Sequence, residues 1–147
     1  MSAFDALKAL RDAITGSVPL SDFVSENFSR SLTIRFAYRF RDELNVGDLP
    51  ALIITRPRVS KRFATGVRDG SHTVMLYLVF HQDDREKGAE QLITFEELLD
   101  DAIVDDVTLG GAVISAVPKE TVNDEGKHHP VYCIVTEIEL QHRRTGL

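Results

Sequence analysis

Five histidines, one cysteine and a cluster of carboxylates are the residues of this chain whose types could do chemistry. His72 and His81 fall nine positions apart in what reads as a single strand. An odd separation puts them on opposite faces, so they cannot share a metal ion. His128 and His129 adjoin Pro130, where extended neighbours diverge. No HxxxH, HExxH or CxxC spacing occurs, which argues against a metal site. Glu96 with Asp100, and Glu97 with Asp101, are i,i+4 pairs. General-acid work needs a carboxyl in an apolar or charge-paired pocket, and four acids on the polar side of an amphipathic helix read as a solvated face instead. Cys133, beside Ile134 and Val135, reads as an inert buried thiol. GxSxG, Walker A and GxGxxG are absent, and Gly110-Gly111 alone is too little for a phosphate cradle. The expectation is a protein that is not an enzyme, with no catalytic residue, metal or cofactor.

Composition narrows the class. A chain of 147 residues is one domain by length, so 1–147 reads as a single unit with one substantial core. Apolar content of 43% and charged content of 27% are globular values. A formal charge of −6 disfavours a general nucleic-acid binder, leaving at most weak, non-specific DNA contact. A lone cysteine gives no internal disulfide framework, and residues 1–20 lack the basic start and apolar core of a signal peptide. The longest apolar run, Val74 to Phe80, is far short of a membrane span. A cytoplasmic protein with no membrane partner is expected.

The elements follow from periodicity. Val74–Phe80, bounded by Asp69-Gly70 and Asp83-Asp84, predicts a central strand over Ser71–His81 covered on both faces. Phe4, Leu7, Leu10 and Ile14 predict an amphipathic helix over 3–15, with Ser2 as N-cap and Asp5 near its positive end. Gly16 and Pro19 stop it, and Leu20–Asn27 reads as a short second helix capped by Ser21. Leu32 to Phe40 alternates with period two, so it reads as a half-buried strand with Arg35, Arg39 and Arg41 on or beside its polar face. A turn over Asn45–Pro50 and a strand over Ala51–Thr55 come next, with Pro57 ending that strand or marking an edge. Phe95, Leu98, Leu99, Ala102 and Ile103 form the apolar face of a helix starting either at a Thr94–Glu97 capping box or further back, near Gly88. Two strands close the chain, Ala112–Val117 ended by Pro118, and Val131–Gln141, with a polar loop over 119–130 between them. The class is α+β, a mainly antiparallel sheet of four to five strands with an N-terminal and a central helix packed on it.

Charge is distributed unevenly. Residues 30–68 hold nine Lys or Arg against three acids, and residues 83–106 hold ten acids against two basic residues. Arg56, Arg58, Lys61, Arg62 and Arg68 lie in a stretch that reads as a protruding hairpin or loop. Glu96, Glu97, Asp100 and Asp101 lie on the central helix. One reading is two ordinary solvated surfaces. The sharper one is a molecule with a basic and an acidic face, able to associate head to tail and close into a ring.

From Thr108-Leu109-Gly110-Gly111-Ala112-Val113 onward the chain resembles a known family. An acidic helix leads to Leu-Gly-Gly-x-Val, then Pro118, a polar loop and a long closing strand ending in Glu137-Ile138-Glu139-Leu140-Gln141-His142-Arg143. This is similar to the tail terminator (tail-completion) proteins of long-tailed bacteriophages and related prophages. Leu49-Pro50-Ala51-Leu52-Ile53-Ile54 and the N-terminal helix fit the same layout. The resemblance implies a hexameric homo-oligomeric ring that caps the finished tail tube, stops its polymerisation and provides the head-joining surface. Its implied partners are the tail tube protein and a head–neck connector protein; its implied location is the host bacterial cytoplasm during assembly, then the virion tail. The Leu32–Phe40 strand is longer than the short link this family implies, which leaves the strand count open. Two alternatives stand beside it: another phage neck or head–tail connector protein, and a small enzyme or ligand-binding protein with a deep polar pocket.

Overall fold

The chain starts with a helix because Ser2 and Asp5 satisfy its first free amides reciprocally. Asp5 N donates to Ser2 Oγ at 3.2 Å, and Ser2 N donates to Asp5 Oδ2 at 3.1 Å. The computed structural model describes residues 2–36, 45–64 and 67–145, and the side chains of all of these except 64, 67, 68, 144 and 145. Helix α1 spans Ala3–Thr15 and turns Ala6, Leu10 and Ile14 inward. Helix α2 spans Val18–Phe28 and is capped by Ser17, whose hydroxyl accepts from Leu20 N, rather than by Ser21. Pro19 sits in its first turn, where a missing N–H costs nothing.

Five strands follow: β1 (Thr33–Phe36), β2 (Ala51–Ala64), β3 (Val67–His81), β4 (Ser115–Asn123) and β5 (Val131–Thr145). They form one sheet in the order β1-β2-β3-β5-β4, with β1 parallel to β2 and every other pair antiparallel. The expected strand over Leu32–Phe40 is present as β1 up to Phe36; its remainder lies outside the described residues. A 3-10 turn at Val46–Asp48 occupies the expected Asn45–Pro50 turn. β3 is the central strand.

Two prolines do not end their strands. β2 continues through a bulge between Thr55 and Arg58, and β4 through one between Pro118 and Glu120. Among the described residues β4 is the last strand in the sheet order and β1 pairs with Ala51–Ile54, so neither proline faces a described ladder partner on its free side. β4 therefore takes up the first part of the expected 119–130 loop.

Helix α3 spans Arg85–Val104. Asp84 starts it, its Oδ1 accepting from Glu86 N and Lys87 N at 3.0 and 3.1 Å; Thr94 and Glu97 lie in its interior. Gly88 lets the helix lie against Tyr132, since a Cβ there would meet Tyr132 Cζ at 2.5 Å.

All three helices share one core with one face of the sheet. Its centre is aromatic: Phe95 lies 4.9 Å from Phe23, 5.7 Å from Phe28 and 5.3 Å from Phe80, ring centre to ring centre, and Phe80 stacks on Tyr132. Such pairs contribute about 0.5–1.5 kcal/mol each beyond their area. Phe95, Leu99, Ala102 and Ile103 are buried as the periodicity predicts, whereas Leu98 is half-buried. The expectation that β3 is covered on both faces is corrected. Val74, Leu76, Leu78 and Phe80 are buried, but Met75 and Tyr77 on the other face are half-buried. That second face buries Ala51, Ile53 and Val79 near the far end of the sheet, with Leu49 beside them.

Candidate functional site

The sheet residues that belong to the core stop at Ile54 on β2, Val74 on β3 and Leu140 on β5. Beyond them the same three strands run on together. β2 pairs with β3 from Arg58↔Thr73 to Ala64↔Val67, and β3 with β5 from Thr73↔Glu139 to Val67↔Thr145. At about 3.3 Å per residue β3 is about 50 Å long, while α3 can run back about 30 Å at most. The core side chains end before the far third of β3, which runs on with β2 and β5 as an arm. The stretch read as a protruding hairpin or loop is a hairpin, reinforced by β5 as a third strand.

Register assigns the arm's side chains to faces. On the side continuous with the core lie Arg56, Val59, Lys61, Phe63, His72 and His142. On the other lie Arg58, Ser60, Arg62, Asp69, Ser71, Glu139, Gln141 and Arg143. The five basic residues expected to act together are thus divided. Arg56 is half-buried and points at His72; Arg58, Lys61 and Arg62 are exposed; the Arg68 side chain lies outside those described.

Each face has its own polar lock. On the outer face Asp69 receives Arg62 Nη2 and Arg143 Nε, both at 2.8 Å. Those hydrogen bonds, Arg143 first and Arg62 second, hold the Asp69 carboxyl below its usual range. On the core side Arg56 Nη1 lies 3.2 Å from His72 Nδ1. A guanidinium can only donate, so Nδ1 is the acceptor and His72 is neutral. The His142 ring is 6.0 Å from the His72 ring, and both residues are 5% exposed. Burial first, then the Arg56 charge, then His142, push the His72 pKa down to about 4. Gly70 makes room for this ring: a Cβ there would stand 2.8 Å from His72 Nε2. His72 and His81 do face opposite ways, and among the described residues no three His, Cys, Asp or Glu side chains come together as a metal site.

The acids of α3 divide as well. Glu97 and Asp101 are exposed, whereas Glu96 and Asp100 are half-buried. Burial, then Glu96 and Asp101, raise the Asp100 carboxyl above its ordinary value. No described residue hydrogen-bonds Asp100 Oδ1. The more concave acidic surface lies elsewhere, where the C-terminal ends of α1 and α3 meet. A groove of about 460 Å³ is floored there by Ala9, Ala13, Ala102 and Leu109 and edged by Asp12, Asp105 and Asp106. Sequence reasoning missed it, since Asp12 and Asp105 meet only through packing. It also missed exposed Phe63, although Val59, Lys61 and Phe63 already show the two-residue spacing of one strand face.

Cys133 is half-buried rather than buried as expected, packed with Val131 against Val79. Among the described residues no helix is long and apolar enough to cross a membrane. No protein-family model matches the chain, and no curated protein matches it at a significant level. The class established by the molecule itself is an α+β domain whose helix-covered sheet continues into a three-stranded cationic arm.

Proposed function

We propose that the chain is a structural subunit of a long-tailed bacteriophage or prophage virion. It caps the tail tube as a homo-oligomeric ring, ends tube polymerisation and offers the surface that joins the head. The reading rests on the resemblance of residues 108–143 to tail terminator proteins. The observation that carries it is the arm: a three-stranded extension that places Phe63, 67% exposed, and Lys61 towards its outer end. An aromatic ring held in water on a built extension suits contact with a neighbour. In this role the protein acts by shape and charge and carries out no catalysis.

The test is assembly. The purified chain should form rings visible by negative-stain electron microscopy, alone or on the ends of tail tubes, and should stop tube growth when added during polymerisation. Charge reversal of Arg58, Lys61 and Arg62 together should weaken ring formation and leave folding intact. Screening acts over roughly 8 Å at physiological ionic strength, so assembly should weaken with salt. DNA binding should be weak, without sequence preference, and lost at moderate salt. Tubes that keep growing in the presence of the protein, or tight salt-resistant binding to one DNA sequence, would refute the proposal.

A further inference from the structure

The arm and the groove are complementary. Phe63 and Lys61 lie on the same side of the arm, two residues and so roughly 7 Å apart. Phe63 is 67% exposed, so it does not occupy the groove of its own chain. The groove offers an apolar floor of Ala9, Ala13, Ala102 and Leu109 with three carboxylates at its rim. Leu109 and Ala102 are 6% and 8% exposed, and at about 460 Å³ the groove has room for a phenyl ring. Two helices point their C-terminal ends at it, and neither has a basic residue in its last turn. Their dipoles add to the negative potential. Arg11, adjoining Asp12 in sequence, lies 3.1 Å from it and over the ring of Phe36. Among the described residues Asp105 makes no ion pair, and Asp106 folds onto Thr108 and Gly110 of its own turn.

We infer that the groove between the C-terminal ends of α1 and α3 receives the arm of a second copy of this chain, with Phe63 on its floor and Lys61 against Asp105 and Asp12. The inference rests on the ring reading above and supplies its subunit contact. Arm and groove are different surfaces, so the contact is heterologous: each copy gives one arm and takes one, which is how a ring closes. The residues in contact are Asp12, Asp105 and Asp106, rather than the Glu96, Glu97, Asp100 and Asp101 of the α3 flank.

Photo-crosslinking from p-benzoylphenylalanine at position 63 of the full chain tests the contact directly. Cross-links to residues 9–17 or 102–110 of a second copy are expected. Two variants accompany it: an arm variant, Lys61→Glu with Phe63→Ser, and a groove variant, Asp12→Lys with Asp105→Lys. Each alone should self-associate at least tenfold more weakly in sedimentation, with wild-type circular dichroism. Mixed, they should associate more tightly than either does alone, because the first keeps its groove and the second keeps its arm. A wild-type chain that assembles but cross-links elsewhere, or variants that assemble like wild type, would overturn this contact and leave the ring reading standing. A wild-type chain that gives no cross-link and stays monomeric, in solution and at tube ends, would overturn both. Should the groove variant fail to fold, the cross-link map alone decides.

Discussion

The body and the arm use the same strands and are held together differently. β3 and β5 pair without interruption from His81↔Val131 to Val67↔Thr145. Over the first half of that ladder the inward side chains are Phe80, Leu78, Leu76, Val74, Ile134 and Ile138, all under the helices. Over the second half they are His72, Gly70, Leu140 and His142; Leu140 is the last apolar one, and beyond it charge and hydrogen bonds take over from apolar burial. Backbone pairing continues the sheet, but side-chain burial decides how much stability each half supplies. The apolar core lies in the body, and the arm carries its strands on past it.

The largest expected effect lies in the body. Phe95→Ala should cost about 3–5 kcal/mol, because Phe23, Phe28 and Phe80 all lose a ring partner. Denaturant unfolding measures it, and a loss under about 1 kcal/mol would mean that the aromatic centre does not hold the helices. Next comes acid sensitivity of the arm. His72 titrates near 6.5 in the unfolded chain and near 4 when folded, so the stability of its neutral form is complete above 6.5. It is lost as pH falls from 6.5 to 4, by at most about 3 kcal/mol. Hydrogen exchange at pH 7 and pH 4.5 should show arm amides loosening ahead of body amides. His72→Gln should remove most of that difference. Equal loosening of arm and body would break the distinction between them.

Smaller effects follow. Asp100 is raised by burial and by Glu96 and Asp101, so its ionised form opposes folding. Asp100→Asn should stabilise by about 0.5 kcal/mol at neutral pH, a gain that fades as pH falls and Asp100 itself takes up a proton. Thermal melts at pH 7 and pH 4 check the sign. Smallest of all is Phe63→Ser, which should leave folding stability within about 0.5 kcal/mol because the ring is already in water. A larger loss in a melt would make Phe63 part of the fold.

Where apolar periodicity was present, the elements could be read directly. α1 has its cap in the residues and half of its stripe, since Leu10 and Ile14 are buried while Phe4 is 49% exposed and Leu7 half-buried; the α3 face from Phe95 to Ile103 needs only the 3.6-residue period, with Leu98 at its margin. The arm was harder to read, because its inward positions bury no apolar core and hydrophobic pattern cannot mark a strand that backbone pairing sustains. Pro118 looked like a strand end, and Pro57 like a strand end or an edge, because one sequence does not say which N–H groups face a neighbour. The start of α3 was ambiguous because Asp84 and Thr94 are both good caps, and only the structure selects Asp84. For the candidate surfaces, charge sign was legible from composition, but the face was not. Arg56 next to His72, and Asp12 next to Asp105, are products of register and packing.

The closing strand also sets a clock. Arg143 fastens to Asp69 across 74 residues of chain. At a synthesis rate of about 5–20 residues per second, the β2–β3 hairpin waits roughly 4–15 s for β5 to emerge. A two-stranded hairpin alone is marginal in water. A chain whose synthesis has reached only β3 therefore carries no finished arm. The three-stranded form arrives with β5, the last of its strands to be made.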